Sequence, residues 1–226
     1  MKKWRAVLFD LDDTLYPERE YVQSGFRAVA RWIEKEFGCP AEESYDQFSG
    51  MFESGIRRDV FNRWLIQHSL DCDAWIPQMV QIYRAHEPLI EPYPDTRESL
   101  EQLHRQCVLG LVSDGYLEVQ RRKWTALRLD EYFQLVIFSD TWGRESWKPS
   151  ARPFEEAVLQ LSLPAAEMVY VADNPSKDFR GARAVGMGTV RIRRDDGLYR
   201  HLEPPTPADA ADAEIAALPD LCRLVQ

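Results

Sequence analysis

Cysteine and histidine are scarce in this sequence, four of each among 226 residues, and neither falls into a ligand or bridging pattern. Cys39, Cys72, Cys107 and Cys222 are scattered, with no CxxC and no paired histidine spacing. That excludes a cysteine-based metal motif and leaves four reduced thiols, as expected of a cytoplasmic protein. His68, His86, His104 and His201 share no spacing and read as surface or boundary residues. No apolar run approaches the length of a membrane span; the longest are strand-sized. The opening MKKWRAV carries two lysines, but its apolar stretch breaks at Asp10, too early for a signal peptide. An excess of positive charge is lacking too. The net charge of −9 argues against non-specific affinity for nucleic acid or an anionic membrane. Internal repeats and low-complexity stretches are absent, and Pro204-Pro205-Thr206-Pro207 is only a loop. The expectation is a soluble intracellular protein with neither nucleic acid nor membrane as partner; monomer and dimer both remain open.

What is present is the composition of an ordinary globular protein, 45% hydrophobic and 29% charged. Five short apolar runs read as strands: Ala6–Phe9, Val108–Val112, Leu135–Phe138, Met168–Ala172 and Thr189–Ile192. Most are continuous rather than alternating, as expected where helices cover both faces of a parallel sheet. Helical patterns separate them over Thr96–Gln106, Leu117–Leu127, Pro153–Leu161 and Ser176–Val185. This alternation predicts a doubly wound, mainly parallel α/β sheet, with Ala213-Glu214-Ile215 as a short edge strand. From Pro17 to Pro92 the alternation stops. Val22, Phe26, Val29, Ile33 and Phe37 recur at helical spacing, as do Ile56, Val60, Phe61, Trp64 and Leu65, and then Ile76, Met79, Val80 and Tyr83. The stretch is far too long for an ordinary connection. It predicts a small all-α domain over 17–92, inserted into a core made of 1–16 and 93–226.

Ligands in open α/β sheets bind at the carboxyl ends of the strands, so the strand exits matter most. The first strand ends in FDLDDTL, which places Asp10, Asp12 and Asp13 within four positions and follows them with Thr14. Like charges that close repel unless a cation neutralises them. The second strand exits into Ser113-Asp114-Gly115, and the fourth into Asp173-Asn174-Pro175, with Asp178 five residues after Asp173. Lys148-Pro149 precedes the helix that leads into the fourth strand. Carboxylates with few nitrogen or sulfur ligands suit a hard oxygen-seeking ion, magnesium before others. A hydroxyl and main-chain amides at a strand-to-helix turn cradle phosphoryl oxygens, and a lysine adds a point charge. An aspartate at a strand end can attack phosphorus, and a second one two residues on can act as acid and base.

DLDDT after an apolar strand, followed by SDG, KP and DNPSKD after the right elements, resembles the haloacid dehalogenase superfamily over nearly the whole chain. The resemblance implies that Asp10 is the nucleophile and that Asp12 protonates the leaving group and then activates water. It implies magnesium held by Asp10, the main-chain carbonyl of Asp12, and Asp173, with Asp178 supporting the metal shell. Thr14 would stabilise the turn, while Ser113, the amide of Asp114 and Lys148 would hold the phosphoryl group. Arg144, in the segment before Lys148, is a rival cation, and Asp13 reads as a turn residue pointing away from phosphate. The helical insertion resembles the family's cap domain. The expected activity is magnesium-dependent hydrolysis of a small phosphorylated metabolite through an aspartyl-phosphate. A phosphomutase, a 2-haloacid dehalogenase and a non-catalytic binding protein are the alternatives, with dehalogenation disfavoured by Asp12, Asp173 and Asp178.

Overall fold

The computed structural model describes residues 4–225. In chain order these form β1 (Ala6–Phe9), then the helices α1 (Glu18–Phe37), α2 (Ala41–Glu53), α3 (Val60–Gln67), α4 (Cys72–Ala85) and α5 (Thr96–His104). There follow β2 (Val108–Ser113), α6 (Leu117–Leu127), β3 (Leu135–Phe138), α7 (Arg152–Leu161), β4 (Met168–Ala172) and α8 (Asp178–Ala184). The chain finishes with β5 (Gly188–Ile192), β6 (Ala213–Ile215) and α9 (Leu218–Val225). It divides into two compact units, one of residues Arg19–Leu89 and one of the residues on either side.

The larger unit holds a six-stranded sheet in the order β3-β2-β1-β4-β5-β6, with every pairing parallel. The doubly wound α/β core expected from the sequence is the fold that forms. All four residues of β1 are buried, because helices cover both faces of the sheet. Ala6 and Leu8 join a core with Phe154 and Ala157 of α7 and Phe179 and Ala182 of α8. Phe9, pointing the other way, meets the edge of the Phe133 ring at a centroid distance of 6.0 Å. Strand order reverses between β1 and β4, and this reversal is what opens a crevice at the carboxyl ends. Phe9 stands beside Leu111 of β2 and Val171 of β4, so the residues that follow these three strands emerge side by side.

Two departures from the expected elements have local causes. Helix α8 starts at Asp178 rather than Ser176. The Asn174 side chain accepts hydrogen bonds from the Ser176 amide (3.0 Å) and hydroxyl (2.7 Å), closing a turn that keeps Asp173 to Lys177 out of the helix. In the smaller unit, three apolar stripes become four helices. The extra one, α2, buries only Ser44, Phe48 and Phe52, a seam too narrow to stand out among its polar neighbours. That unit is built around aromatic rings: Phe26 packs on Phe48 and Phe61, and Phe48 on Phe61 and Trp64, with centroids 5.2–6.1 Å apart. Gly25 admits the Tyr83 ring, which would lie 2.4 Å from any added Cβ.

Gly181 does similar work in α8. A Cβ there would lie 2.5 Å from the Ser150 carbonyl oxygen and 2.9 Å from that of Pro149, so only glycine lets α8 approach the backbone next to Lys148. Helix propensity favours alanine by about 1 kcal/mol. The opposing contact is with backbone that cannot rotate aside, and such overpacking costs about 1–3 kcal/mol. Gly181→Ala is therefore expected to lower stability by about 1–2 kcal/mol in urea unfolding; an increase would show that α8 does not need this approach.

Candidate active site

The strand ends gather the charged residues. Asp10 follows β1, its amide donating to the Val171 carbonyl (2.9 Å), and its carboxylate is buried. Lys148, whose side chain is wholly buried, places its ammonium 2.9 Å from Asp10 Oδ1, 2.8 Å from Asp178 Oδ1 and 2.7 Å from the Tyr170 hydroxyl. Tyr170 passes the connection on by donating to the Val112 carbonyl at 3.1 Å. Asp114 accepts from the Ser139 hydroxyl (2.6 Å) and from the Lys148 main-chain amide at 3.1 Å. Ser113 is buried beside it, and its hydroxyl oxygen has no hydrogen-bond partner.

Carboxylate oxygens of Asp10, Asp173 and Asp178, one from each, lie within 4.8 Å of one another. Burial pushes the Asp173 carboxyl well above the ordinary range, and the neighbouring Asp178, Asp13 and Asp10 charges push it the same way. Asp173 Oδ2 is buried with no hydrogen-bond partner. A buried, oxygen-only set with an unsatisfied oxygen and mutual repulsion fits a hard divalent cation. Asp10 is also shifted upward by burial, against the pull of Lys148 and Lys177. Asp178 goes the other way. Burial opposes its charge, but Lys148 and Lys177 outweigh it and hold the carboxyl below the usual range.

Several residues to which the four motifs assign no role enter the site. Lys123 of α6 reaches Asp12 Oδ1 at 2.7 Å, the Tyr16 hydroxyl donates to the same oxygen, and the Gln120 side-chain amide approaches Oδ2 at 3.4 Å. Burial works against the Asp12 charge, yet Lys123 and Tyr16 hold its carboxyl below the ordinary value. Gln120 also donates to the Asp114 carbonyl (2.6 Å), which fixes one turn to the other. Lys177 lies 2.7 Å from Asp178 Oδ1 and 3.8 Å from both Asp10 Oδ2 and Asp114 Oδ2. Burial, followed by the Asp12 charge, pushes the Glu18 carboxyl up to about 8. One signal for Gln120 and Lys123 is present in the sequence: they fall on the buried face of α6 with Val119, Trp124 and Leu127, where a polar pair is out of place.

Asp13 occupies the left-handed region at φ 50°, and its carboxylate accepts from the amides of Glu18 (2.8 Å) and Leu198 (2.7 Å). It ties the loop after β1 together. The Thr14 hydroxyl has no hydrogen-bond partner, whereas its carbonyl accepts from Arg194 at 3.1 Å. Arg144 lies over the rings of Tyr116 (4.6 Å) and Trp147 (5.5 Å), and it is Lys148 whose ammonium stands among the carboxylates.

Comparison with known proteins shows the family. Residues 7–192 match the family model described as haloacid dehalogenase-like hydrolase. The chain belongs to the haloacid dehalogenase-like hydrolases. It is 34% identical over 220 residues to the glyceraldehyde 3-phosphate phosphatase of Methanopyrus kandleri, covering 93% of this chain and 92% of that one. It is 31% identical to the ribulose-1,5-bisphosphate 5-phosphatase of Halopiger xanaduensis, over 82% of this chain and 83% of that one. The fold matches the magnesium-bound HAD-hydrolase YfnB of Bacillus subtilis over the full length of both chains, with a TM-score of 0.70 at 18% identity. No helix among the described residues of this hydrolase is long and apolar enough to cross a membrane.

The Lys123–Asp12 pair yields a stability test. Removing one partner of a buried ion pair costs about 3–5 kcal/mol, and less where the remaining charge keeps some solvent. The Asp12 side chain is 19% exposed, so Lys123→Met is expected to destabilise this protein by about 2–3 kcal/mol in urea unfolding. In the Asp12→Asn background the same change should cost clearly less, and equal costs would mean that Lys123 contributes through packing alone.

Proposed function

We propose that this HAD-like phosphatase hydrolyses a small phosphate monoester through a covalent aspartyl-phosphate on Asp10, with magnesium as its cation. The observation that carries the reading is the placement of the Asp10 carboxylate at the end of a central strand, 2.9 Å from the Lys148 ammonium and within the Asp173–Asp178 cluster. Magnesium would be held by Asp10, the main-chain carbonyl of Asp12 and Asp173, with Asp178 supporting; when bound it neutralises charge on the phosphoryl oxygens.

Lys148 fixes one oxygen of Asp10, Oδ1, and so aims the other. Attack by that oxygen on phosphorus forms the acyl phosphate and breaks the ester P–O bond, and the departing oxygen takes a proton from Asp12. Water then attacks the same phosphorus and returns a proton to Asp12, releasing phosphate and restoring the Asp10 carboxylate. Asp12 is poised on the ionised side by Lys123, which suits the second step. In the first step, a phosphoryl dianion arriving beside Asp12 raises its proton affinity. Ser113, with its unpartnered hydroxyl, together with the Asp114 amide and Lys148, would hold the phosphoryl oxygens. All these groups lie outside Arg19–Leu89, so we assign choice among esters to that helical unit acting as a cap domain. The relatives named above act on phosphorylated sugars, and sugar phosphates are the class to screen first.

Asp12→Ala separates the two steps by leaving group. Losing the acid should slow hydrolysis of an alkyl or sugar phosphate by about a hundredfold or more. Nitrophenolate departs without a proton, so p-nitrophenyl phosphate should give a burst of one nitrophenolate per enzyme followed by slow turnover. Equal losses on both esters with no burst would remove Asp12 from acid–base chemistry. Exhaustive chelation should abolish activity and added magnesium restore it; full activity after chelation would overturn the metal assignment.

A further inference from the structure

We propose that Lys177 is a built-in competitor of the divalent cation, drawing on the same carboxylate oxygens and thereby weakening the hold of this protein on its metal. The inference rests on the reading that Asp10, Asp173 and Asp178 are the cation's carboxylates.

Asp178 is the key residue. Its Oδ2 accepts the Asn174 amide at 2.9 Å, and its Oδ1 takes two ammonium groups, Lys148 at 2.8 Å and Lys177 at 2.7 Å. An oxygen that already accepts from two ammonium groups has no lone pair left for a third cation. A divalent ion that draws on Oδ1 of Asp178 must therefore displace one of the lysines, and one that draws on Oδ2, which accepts only the Asn174 amide, must approach against their charge. The two lysines are not equivalent. Lys148 has no exposed side-chain surface and is also bonded to Asp10 and Tyr170, so it is locked in place. Lys177 is one-third exposed, and its other carboxylate neighbours, Asp10 Oδ2 and Asp114 Oδ2, stand at 3.8 Å. Lys177 is thus the group that can swing out to water.

The same position explains why the repulsion matters. Lys177 is within 4 Å of two of the three clustered carboxylates, Asp10 and Asp178, where water is mostly excluded and charges act strongly on one another. Its ammonium stabilises the carboxylates by itself, so part of what a metal would gain by neutralising them is already supplied. Taking that charge away leaves Asp178 with one ammonium instead of two, and leaves Asp10 Oδ2 without its cationic neighbour.

The test is direct binding of manganese(II), a spectroscopically visible substitute for magnesium, to the full chain, with free ion counted by electron paramagnetic resonance. Lys177→Met should bind manganese at least tenfold more tightly than the unaltered protein, and Lys177→Gln should shift in the same direction. Lys177→Arg keeps the charge and should stay within a fewfold of the original affinity. Arg223→Met removes a positive charge from the exposed side of α9 and controls for net charge; it should change nothing. Unchanged or weaker manganese binding in both Lys177→Met and Lys177→Gln, with native unfolding transitions, would overturn the proposal. Asp173→Asn distinguishes this from failure of the metal reading: if that variant binds manganese as well as the unaltered protein, the cation sits elsewhere and both ideas fall. If Asp173→Asn loses binding and the Lys177 variants do not gain it, only the competition is wrong.

Discussion

One buried ammonium group holds the site together. Lys148 lies in the loop before helix α7, and its Nζ touches Asp10 after β1, Asp178 at the start of α8 and Tyr170 within β4. Through Tyr170 it also reaches the carbonyl of Val112 in β2. A cation with no exposed surface is tolerable only if its partners are charged and well placed, and the reverse holds for the carboxylates around it. Remove Lys148 and Asp10 loses its hydrogen-bonded counter-charge. Remove Asp10 or Asp178 and Lys148 becomes the buried charge without enough company. The arrangement is therefore held by mutual necessity, with the parallel sheet as its frame.

That necessity accounts for features lying away from the ammonium. The main-chain amide of Lys148 is fixed by Asp114, which in turn is fixed by Ser139 at the end of β3. Gly181 is needed because α8 must come close enough to the 149–150 backbone for Asp178 to share Lys148 with Asp10. A second cation, Lys123, performs the corresponding service for Asp12, and a third, Lys177, leans in from the loop after β4. Of the aspartates that the sequence crowds together, Asp10 thus pairs with Lys148, which it shares with Asp178, and Asp12 pairs with Lys123. Asp13 belongs to neither pair; it accepts two amides and closes the loop.

The parts of this that were legible in the sequence are those set by local pattern. Continuous apolar runs located the sheet strands, because a strand buried on both faces has no polar side to interrupt it. Motifs placed directly after those runs located Asp10, Asp12, Ser113 and Asp173 at one rim, since parallel strands all point their carboxyl ends the same way, and Lys148 and Asp178 were located by the helices α7 and α8 that they precede or open. Lys123 and Gln120 escaped notice because their meaning depends on a contact more than a hundred residues away, between α6 and the loop after β1. Helix α2 escaped for a different reason: its buried seam is two phenylalanines and a serine wide. The role of Arg144 could not be settled from spacing, as a cation near a lysine motif and a cation stacked over Tyr116 read alike in one dimension.

The central claim is that the Asp10 carboxylate carries the phosphoryl group during turnover. The most direct measurement is to quench the protein in acid while it hydrolyses a phosphate monoester and to map the modified peptide by mass spectrometry. The account predicts a single phosphoryl group on the peptide containing Asp10, absent from Asp10→Asn. A chain that turns over yet carries its phosphate on another residue, or an Asp10→Asn protein that keeps a substantial rate, would contradict it.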